Sequence, residues 1–485
     1  MFTLGDVYRS VGRPPSADAD TLRIETAHYD SRRIGPNMLF VALPGERVDG
    51  NDFIADAFAR GAVAALCERI ETDAPTERQV VTPNVLAAYQ RIGAELRSRS
   101  GATFVAVTGS NGKTTTKQAL AAALHAMAPT LATDRSENTD VGIPTTLSRL
   151  RPDQRFAVIE MGAQVRGEIE AYCAYTRPDV GVITNIAGAH LGLFSSLDAV
   201  ATAKAELLAG LPEGGPVILS ADDDWTPWLR ERARGPVTTF GRHAASDVHV
   251  LGSPLADGSG TRVRAAIGDR TIELHAEGAV GAIDLAFGAA LATCLALGLD
   301  LDAAADGLAR FRAPPHRLRL VHLPNGALVL DDSYNANHAS MLVALDALRD
   351  VPTPGRRVAV LGDMFELGDF AIQEHRATGR HAAFVDLLVC VGSLARHIQA
   401  SALAAGLNAR ASWMIEVDTD RHDEIAAACS EAASRLRNEI GPGDAVLIKA
   451  SNGMGFATIV EALADRPPDA HAEATTPDRR GMPPA

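Results

Sequence analysis

The sequence predicts an α/β fold, in which parallel strands alternate with helices that cover both faces of the sheet. Uninterrupted apolar runs of the kind that form buried parallel strands occur at 103–109, 156–161, 180–184 and 216–220. Helical segments alternate with them at 117–127 and 196–210. After a break at 310–317 the alternation restarts, with strands expected at 327–332, 357–363, 387–392, 413–417 and 444–449 and helices at 340–350 and 422–438. Two doubly wound units therefore follow one another.

The chain length and these breaks predict three domains and a tail. A chain of 485 residues is long enough for several domains, each with its own core. The first hundred residues mix short apolar runs with turns and end in a polar helical segment. We therefore expect domains at 1–100, 101–313 and 314–464. The remaining stretch, 465–485, is rich in Pro, Ala and charged residues and is expected to be disordered.

The composition excludes several classes of protein. The formal charge is −14, so no basic stripe is available for general binding to nucleic acid or to an anionic membrane. No run of about 18 apolar residues predicts a membrane span, and the N-terminus does not resemble a secretory signal. The five cysteines are far apart and never in C-x-x-C spacing, which indicates reduced core residues of a cytoplasmic protein.

Lysine is unusually rare. Of the 46 basic residues only four are lysine: Lys113, Lys117, Lys204 and Lys449. A GC-rich coding bias explains the rarity of lysine, but it does not explain why these four remain. Three of them fall in motifs, with Lys113 and Lys204 in those discussed below and Lys449 at the end of the last predicted strand. The sequence assigns no role to Lys117.

The strongest local motif is VTGSNGKTTTK at 107–117. A strand, a glycine-containing turn and a helix that opens with Lys-Thr-Thr can direct backbone N–H groups at phosphate oxygens. Lys113 would reach the β- and γ-phosphates, and Thr114 would hold Mg²⁺. The strict pattern has Gly or Ala where this chain has Val107, and the tight turn comes from Gly109. A purely structural turn is the alternative, but Gly-Lys-Thr after a buried strand favours nucleotide binding.

Three later residues could complete a metal site. Glu160 ends a predicted strand, His190 lies in the loop after the next strand, and Lys204 is on the following helix. Taken singly, they could be a solvated strand end, a loop histidine and a surface lysine. The carboxyl ends of neighbouring strands converge at one sheet edge, where open α/β sheets bind ligands, and this favours a shared site.

Together these motifs resemble the Mur ligase family of ATP-dependent amide-bond enzymes. TGSNGKTTTK at 108–117 is similar to its phosphate loop, and IEMG at 159–162, TNIAGAHL at 184–191 and ATAKAEL at 201–207 are similar to its metal-site segments. DDSYNANHASM at 331–341 and VLGDMFELG at 360–368 are similar to segments of the members that add a dipeptide, and 29–62 resembles their UDP-binding domain. The resemblance covers roughly residues 25–463.

The resemblance implies a fold with a UDP-sugar-binding N-terminal domain, a central P-loop ATPase domain and a C-terminal Rossmann-like domain that binds the incoming amine. It also implies an ATP- and Mg²⁺-dependent ligase that adds D-alanyl-D-alanine to UDP-N-acetylmuramoyl-tripeptide through an acyl phosphate. The sequence contains no heptad or large apolar stripe and leaves the oligomeric state open, although a monomer is expected. The third residue of the tripeptide, diaminopimelate or lysine, is left open.

Residue roles follow from the same resemblance. The residues implied to bind ATP are Thr108, Gly109, Ser110, Asn111, Gly112, Lys113, Thr114, Thr115, Arg317 and Asp332. Those implied to bind the substrates are Ser31, Arg32, Asp49, Gly50, Asn138 and Thr139 for the UDP-sugar peptide and Tyr334, Asn335 and Asn337 for the dipeptide. Thr114, Glu160, His190 and Lys204 would hold metal, with Lys204 as a carbamate formed with CO₂. Lys113, Glu160, His190 and Lys204 would form the catalytic set.

Several positions depart from the family pattern. They are Ile283, Asp284 and Phe287 near the expected adenine site, together with Asp140, His316, His338, Ala450 and Asn452. Ordinary drift within the family and a relative that joins a different amine or UDP-sugar peptide both remain open. A non-catalytic nucleotide-binding protein would be expected to lose Lys113, Glu160, His190 or Lys204, and all four are present.

Overall fold

The structure is a computed structural model that describes residues 1–45, 48–188, 191–194, 196–419 and 421–465. The expected metal ligand His190 and nearly all of the predicted tail, 466–485, lie outside the described residues. Within them, strands form sheets of two, four, nine and six strands, interleaved with helices. The predicted α/β class is therefore confirmed. None of the helices in the described ranges combines the length and hydropathy that crossing a bilayer requires.

The N-terminal part is built on a small parallel sheet. Its strands are β1 (Phe2–Thr3), β2 (Arg23–Ile24), β3 (Thr26–His28), β4 (Met38–Val41), β5 (Ala62–Cys67) and β6 (Gln79–Val81), and its helices are α1 (Leu4–Ser10), α2 (Ala17–Thr21), α3 (Ile54–Ala59) and α4 (Val85–Arg99). Strands β3 to β6 pair in sequence order and in parallel, while β1 and β2 form a separate antiparallel pair. Short 3-10 turns follow β3 at Ser31–Arg33 and β4 at Gly50–Phe53.

The central part contains the largest sheet. Its strands are β7 (Thr103–Thr108), β8 (Thr130–Ala132), β9 (Phe156–Glu160), β10 (Val180–Ile183), β11 (Val217–Ser220), β12 (Val237–Gly241), β13 (Val248–Pro254), β14 (Gly260–Ile267) and β15 (Arg270–Glu277). Its helices are α5 (Lys113–His125), α6 (Gly142–Ser148), α7 (Glu168–Thr176), α8 (Leu191–Phe194), α9 (Leu197–Ala209), α10 (Thr226–Arg230), α11 (Ile283–Ala296) and α12 (Leu301–Leu308). The strand order is β15-β14-β13-β12-β11-β10-β7-β9-β8.

The sheet is parallel from β8 to β13, as expected, but β13, β14 and β15 form an antiparallel meander. The continuous apolar runs of the sequence do not predict this meander, because its strands are not uninterrupted apolar segments. In β14 and β15 buried and exposed residues alternate, since one face of the meander packs on α11 and the other faces water. Alternation of apolar and polar residues was the signal that could have revealed these strands.

The C-terminal part repeats the doubly wound plan. Its strands are β16 (Arg319–His322), β17 (Leu328–Asp331), β18 (Arg357–Gly362), β19 (Leu387–Val391), β20 (Ser412–Ile415) and β21 (Ala445–Lys449), and its helices are α13 (His338–Asp350), α14 (Ala371–His381), α15 (Ala395–Ala404), α16 (His422–Glu439) and α17 (Ala457–Ala464). The strand order is β16-β17-β21-β18-β19-β20, parallel except for β16.

Parallel pairing brings the sequence motifs together. Strands β7, β9 and β10 are neighbours, and Val107 near the end of β7 pairs with Glu160 at the end of β9. Likewise, Asp331 at the end of β17 pairs with Ile448 of β21, one residue before Lys449. The residues that follow these strands therefore emerge at the carboxyl edges of two sheets, where α/β proteins bind their ligands.

Candidate active site

One cavity of about 720 Å³ is lined by residues from the carboxyl edges of the central and C-terminal sheets. Most of the predicted site residues line it: Ser110, Asn111, Gly112, Lys113, Thr114, Thr115, Asn138, Thr139, Glu160, Arg317, Asp332, Tyr334, Asn335 and Asn337. Residues separated by more than 200 positions in sequence thus face one space. The cavity is large enough for a nucleotide and part of a second substrate.

The phosphate loop forms the floor of this cavity. Thr108 ends β7 with its hydroxyl donating to the Met161 carbonyl at 2.9 Å, and Gly109 begins the turn with a φ of +140°. A Cβ at position 109 would lie only 2.0 Å from the Thr184 hydroxyl oxygen, so this close approach requires glycine. Gly112, with a φ of +78°, then starts helix α5 at Lys113. The helix N-terminus therefore points its free N–H groups at the cavity.

Lys113 lies against its own loop. Its Nζ donates to the carbonyls of Gly109 at 2.8 Å and Ser110 at 3.1 Å. Desolvation by the surrounding protein lowers the pKa of Lys113 to about 8, although the nearby Glu160 carboxylate favours the charged form. A phosphate that enters the loop would supply the anionic partner that these two carbonyls only partly replace.

Glu160 is buried at the end of β9, with 1% of its surface exposed, so it is not the solvated strand end that remained possible from the sequence. Its Oε1 accepts hydrogen bonds from the Thr114 hydroxyl at 3.1 Å and from Asn138 Nδ2 at 2.8 Å. Its buried Oε2 makes no hydrogen bond within the described part of the chain but lies 3.2 Å from Lys117 Nζ, with which it forms an ion pair. Oε1, on the side of Thr114 and Asn138, is the oxygen that faces the cavity and could bind a cation.

The donor set fits magnesium rather than a softer metal. Thr114 and Glu160 offer hard oxygen ligands beside a phosphate loop, and Mg²⁺ is commonly held by one or two such groups together with substrate phosphates and water. Among the described residues there is no cluster of three or more His, Cys, Asp or Glu side chains that could hold a metal by itself. The ion would therefore depend on the phosphates of a bound nucleotide.

Lys204 lies behind the cavity wall. Only 2% of its surface is exposed, so the surface-lysine alternative is wrong. Its Nζ donates to the Ala163 carbonyl at 3.3 Å and lies 5.7 Å from the centre of the Phe194 ring. Desolvation, followed by repulsion from Lys113, lowers the pKa of Lys204 to about 7.

Two contacts join the C-terminal domain to the phosphate loop. Arg317 stacks over the Tyr334 ring at 3.9 Å, and its Nη2 donates to the Thr114 hydroxyl at 3.4 Å. Asn337 Nδ2 donates to Asn111 Oδ1 at 2.8 Å. The two domains therefore already touch across the cavity, through residues at which the sequence predicts ligand binding.

Lys449, the last residue of β21, also lines the cavity. Its buried Nζ forms an ion pair with Asp332 and donates to the Asn335 carbonyl at 2.8 Å. It thereby fixes two predicted ligand-binding residues on the loop after β17. The rarity of lysine in the sequence could have pointed to this residue, since each of the four lysines lies in or directly behind the cavity wall.

The predicted UDP-binding residues Ser31, Arg32, Asp49 and Gly50 do not line this cavity. They lie at the carboxyl ends of β3 and β4, at the edge of the N-terminal sheet. Hydrogen bonds from the side chain and backbone of Asn51, together with Arg69, hold the pKa of Asp49 down at about 2. A Cβ at Gly50 would meet the Leu43 carbonyl oxygen at 2.5 Å, so the turn there requires glycine.

A salt bridge connects this edge to the cavity. Arg33, the last residue of the 3-10 turn that contains Ser31 and Arg32, donates to Glu137 Oε1 at 3.0 Å. Glu137 directly precedes Asn138, which donates to Glu160. Two side-chain contacts and one peptide bond thus connect the N-terminal turn to the proposed metal ligand.

The departures from the family pattern have internal partners. Asp284 is fully buried, and Arg242 holds both of its carboxylate oxygens at 2.7 and 2.8 Å. Phe287 packs edge-on against Phe311, with ring centres 5.3 Å apart. His338, the first residue of α13, has its Nδ1 3.0 Å from the hydroxyl oxygen of Thr378 in α14. These residues are integrated in the fold, and Ile283 also lines the cavity.

Family profiles cover most of the chain. The profiles described as the Mur ligase family catalytic domain, the Mur ligase middle domain and the Mur ligase glutamate ligase domain match residues 23–99, 107–275 and 316–452. The UDP-N-acetylmuramoyl-tripeptide–D-alanyl-D-alanine ligase of Escherichia coli K12 is 38% identical over 381 residues, covering 76% of this chain and 82% of its own. The chain belongs to the Mur ligase family.

Further relatives agree with this membership in the Mur ligase family. The ligase of the same name from Mycobacterium bovis is 34% identical over 481 residues, covering 90% of this chain and 92% of its own. The crystal structure of MurF from Acinetobacter baumannii superposes with a TM-score of 0.80 at 29% identity, covering 96% and 99% of the two chains. The crystal structure of MurF from Thermotoga maritima in complex with ADP superposes with a TM-score of 0.75 at 25% identity, covering 91% of this chain and 97% of its own. The three-domain Mur ligase architecture is thereby confirmed.

Proposed function

We propose that this protein is an ATP-dependent ligase that joins D-alanyl-D-alanine to UDP-N-acetylmuramoyl-tripeptide, forming ADP and phosphate. One observation carries the proposal. A phosphate loop, a buried carboxylate and a tyrosine–asparagine loop from another domain line a single cavity in a chain whose full-length relatives bear the name of this ligase.

We assign one substrate to each domain. Residues 1–100 would bind the UDP-sugar through Ser31, Arg32 and the Asp49-Gly50 turn, and residues 101–313 would bind ATP. Residues 314–464 would bind the dipeptide near Tyr334, Asn335 and Asn337. The Arg33–Glu137 salt bridge supports the first assignment, because it connects the proposed uridine edge to the cavity where the peptide end must react.

The first step activates a poor acyl donor. The terminal carboxylate of the tripeptide attacks the γ-phosphorus of ATP, ADP leaves, and an acyl phosphate forms. Lys113, freed from its loop carbonyls, would pair with the transferring phosphoryl group, while Arg317 would approach from the other domain. Thr114 and Glu160 would hold Mg²⁺, which when bound supplies positive charge to the phosphate oxygens.

The second step forms the amide bond. The amino group of the dipeptide attacks the acyl carbon, and phosphate leaves from the tetrahedral intermediate with loss of one proton from nitrogen. Asn335 and Asn337 can orient the dipeptide through their amide groups, and Asn337 already contacts the phosphate loop. Attack therefore requires the two domains to be in contact, which excludes water from the acyl phosphate.

We propose that Lys204 acts as a carbamate. A cationic ammonium beside Mg²⁺ would repel the ion, whereas the neutral amine can attack CO₂, lose a proton and become an anionic oxygen ligand. The lowered pKa of Lys204, about 7, supports this because much of the amine is neutral at physiological pH. Arg cannot replace it, since the guanidinium does not deprotonate. His190 would complete the metal site.

The proposal also covers the state and location of the protein. The described cysteines are all free and buried, as expected for a reducing compartment, and the nucleotide substrates are cytoplasmic, so we place the reaction in the cytoplasm. We further propose that the enzyme is a monomer, which light scattering on the purified chain would test.

A coupled assay of phosphate release tests the function. Release should require ATP, Mg²⁺, UDP-N-acetylmuramoyl-tripeptide and D-alanyl-D-alanine together. Release without the dipeptide would refute the proposal. Turnover only with another amine would also refute it, and the departures from the family pattern at His338 and Asp140 make this the alternative to test. Tripeptides that carry diaminopimelate or lysine at the third position, assayed in parallel, would identify the natural acceptor.

A further inference from the structure

Lys117 is a buried lysine that neither the sequence nor the proposed mechanism uses. It lies one turn into helix α5, four residues after Lys113, and none of its side chain is exposed. It does not line the cavity, so it is not placed to touch a nucleotide. A fully buried ammonium is costly unless it is paired, and its partner therefore indicates its role.

The partner of Lys117 is the proposed metal ligand. Lys117 Nζ lies 3.2 Å from Glu160 Oε2, and both side chains are almost completely buried. The ammonium also donates to the Arg135 carbonyl at 2.6 Å, which fixes its position. Among the described residues, Lys117 provides the one ion pair found for Glu160.

The two oxygens of Glu160 therefore face different surroundings. Oε1 lies on the side of Thr114 and Asn138, which both line the cavity, whereas Oε2 lies on the side of Lys117 behind it. The other nearby cations are engaged elsewhere, since Lys113 binds loop carbonyls and Arg317 contacts the Thr114 hydroxyl. The net charge of the Glu160–Lys117 pair is zero.

We propose that Lys117 is a positioning residue that serves as the internal counter-ion of Glu160 and keeps divalent cations from binding there tightly before the nucleotide arrives. A neutral pair attracts a cation far less than a bare buried carboxylate does. The additional negative charge needed to hold the ion then comes from the phosphates. This inference rests on the proposed role of Glu160 as a magnesium ligand.

The inference is tested by measuring Mn²⁺ binding to the full-length protein without nucleotide at pH 8. The electron paramagnetic resonance signal of free Mn²⁺ reports how much of the ion is bound. Lys117→Met should bind Mn²⁺ about tenfold or more tightly than the wild type, because a unit positive charge has been removed beside the carboxylate. Lys117→Arg keeps the charge and should restore weak binding. If the Met variant does not fold, Lys117→Gln, which can still donate to Arg135, replaces it with the same expected result.

Two controls separate this effect from a structural one. The double variant Lys117→Met/Glu160→Gln should lose the gain in affinity. Arg242→Met, which also removes a cation from a buried carboxylate, Asp284, should lower the melting temperature without changing Mn²⁺ affinity. An unchanged or weaker affinity in a folded Lys117 variant overturns the inference, as does a gain that persists in the double variant.

A further variant distinguishes this inference from the proposed function. Glu160→Gln alone should weaken Mn²⁺ binding in the presence of a non-hydrolysable ATP analogue. If it does not, the metal role of Glu160 is wrong. If it does but the Lys117 variants bind like the wild type, only the counter-ion role of Lys117 is wrong.

Discussion

Formation of the Lys204 carbamate should follow the pH dependence of a strongly perturbed lysine. Carbon dioxide reacts with the neutral amine, so the rate of carbamylation is proportional to the neutral fraction. With a pKa of about 7, caused mainly by burial, about half of Lys204 is neutral at pH 7. An ordinary lysine with a pKa of about 10.4 would be neutral in roughly one molecule in a few thousand. Burial therefore raises the neutral fraction of Lys204 at pH 7 about a thousandfold.

The assay measures the recovery of activity after CO₂ has been removed. Protein stripped of CO₂ is held at pH values from 6 to 9.5 with a constant concentration of dissolved CO₂, and aliquots are assayed for phosphate release at one fixed pH. The recovery rate should rise steeply up to about pH 7 and level off above about pH 8, because the amine is then mostly neutral. Lys204→Arg should remain folded and inactive at every pH. A rate that still rises about tenfold per pH unit between 8 and 9.5 would show that the amine has an ordinary pKa, and activity without any CO₂ would refute the carbamate itself.

Three further predictions concern the phosphate loop and its surroundings. Gly109→Ala should abolish ATP binding measured by calorimetry, because the added Cβ would fall 2.0 Å from the Thr184 hydroxyl oxygen. Normal ATP binding by this variant would contradict the prediction, since it would show that the loop can shift to accept the Cβ. Arg242→Met should lower the free energy of unfolding in urea by about 2 kcal/mol, since it leaves the buried Asp284 carboxylate unpaired, and adding Asp284→Asn should recover part of this loss. Asn337→Asp keeps the N-cap of α13 and should have the melting temperature of the wild type, but its added negative charge beside the phosphate loop should raise the KM for ATP. Asn337→Ala removes the cap and should lower the free energy of unfolding by about 1 kcal/mol.

The sequence determined the local parts of this protein. Continuous apolar runs identified the buried parallel strands, such as β7, β9 and β10, because strands covered on both faces cannot alternate. The Gly-Lys-Thr turn identified the phosphate loop, because its chemistry depends on residues adjacent in the chain. The antiparallel strands β13 to β15 were missed, since their signal is an alternation that is easily taken for surface loop.

How those parts combine depends on the packing of distant segments. The sequence could not show that Lys117 faces Glu160, because the two residues are 43 positions apart and meet only when β7 and β9 pair. Nor could it show that Asp284 is neutralised by Arg242, or that Lys204 is buried. The ionisation and partners of a charged group depend on the solvent and charges around it, and packing of distant segments creates those surroundings. The rarity of lysine marked the four positions, and the fold supplied a partner for Lys117.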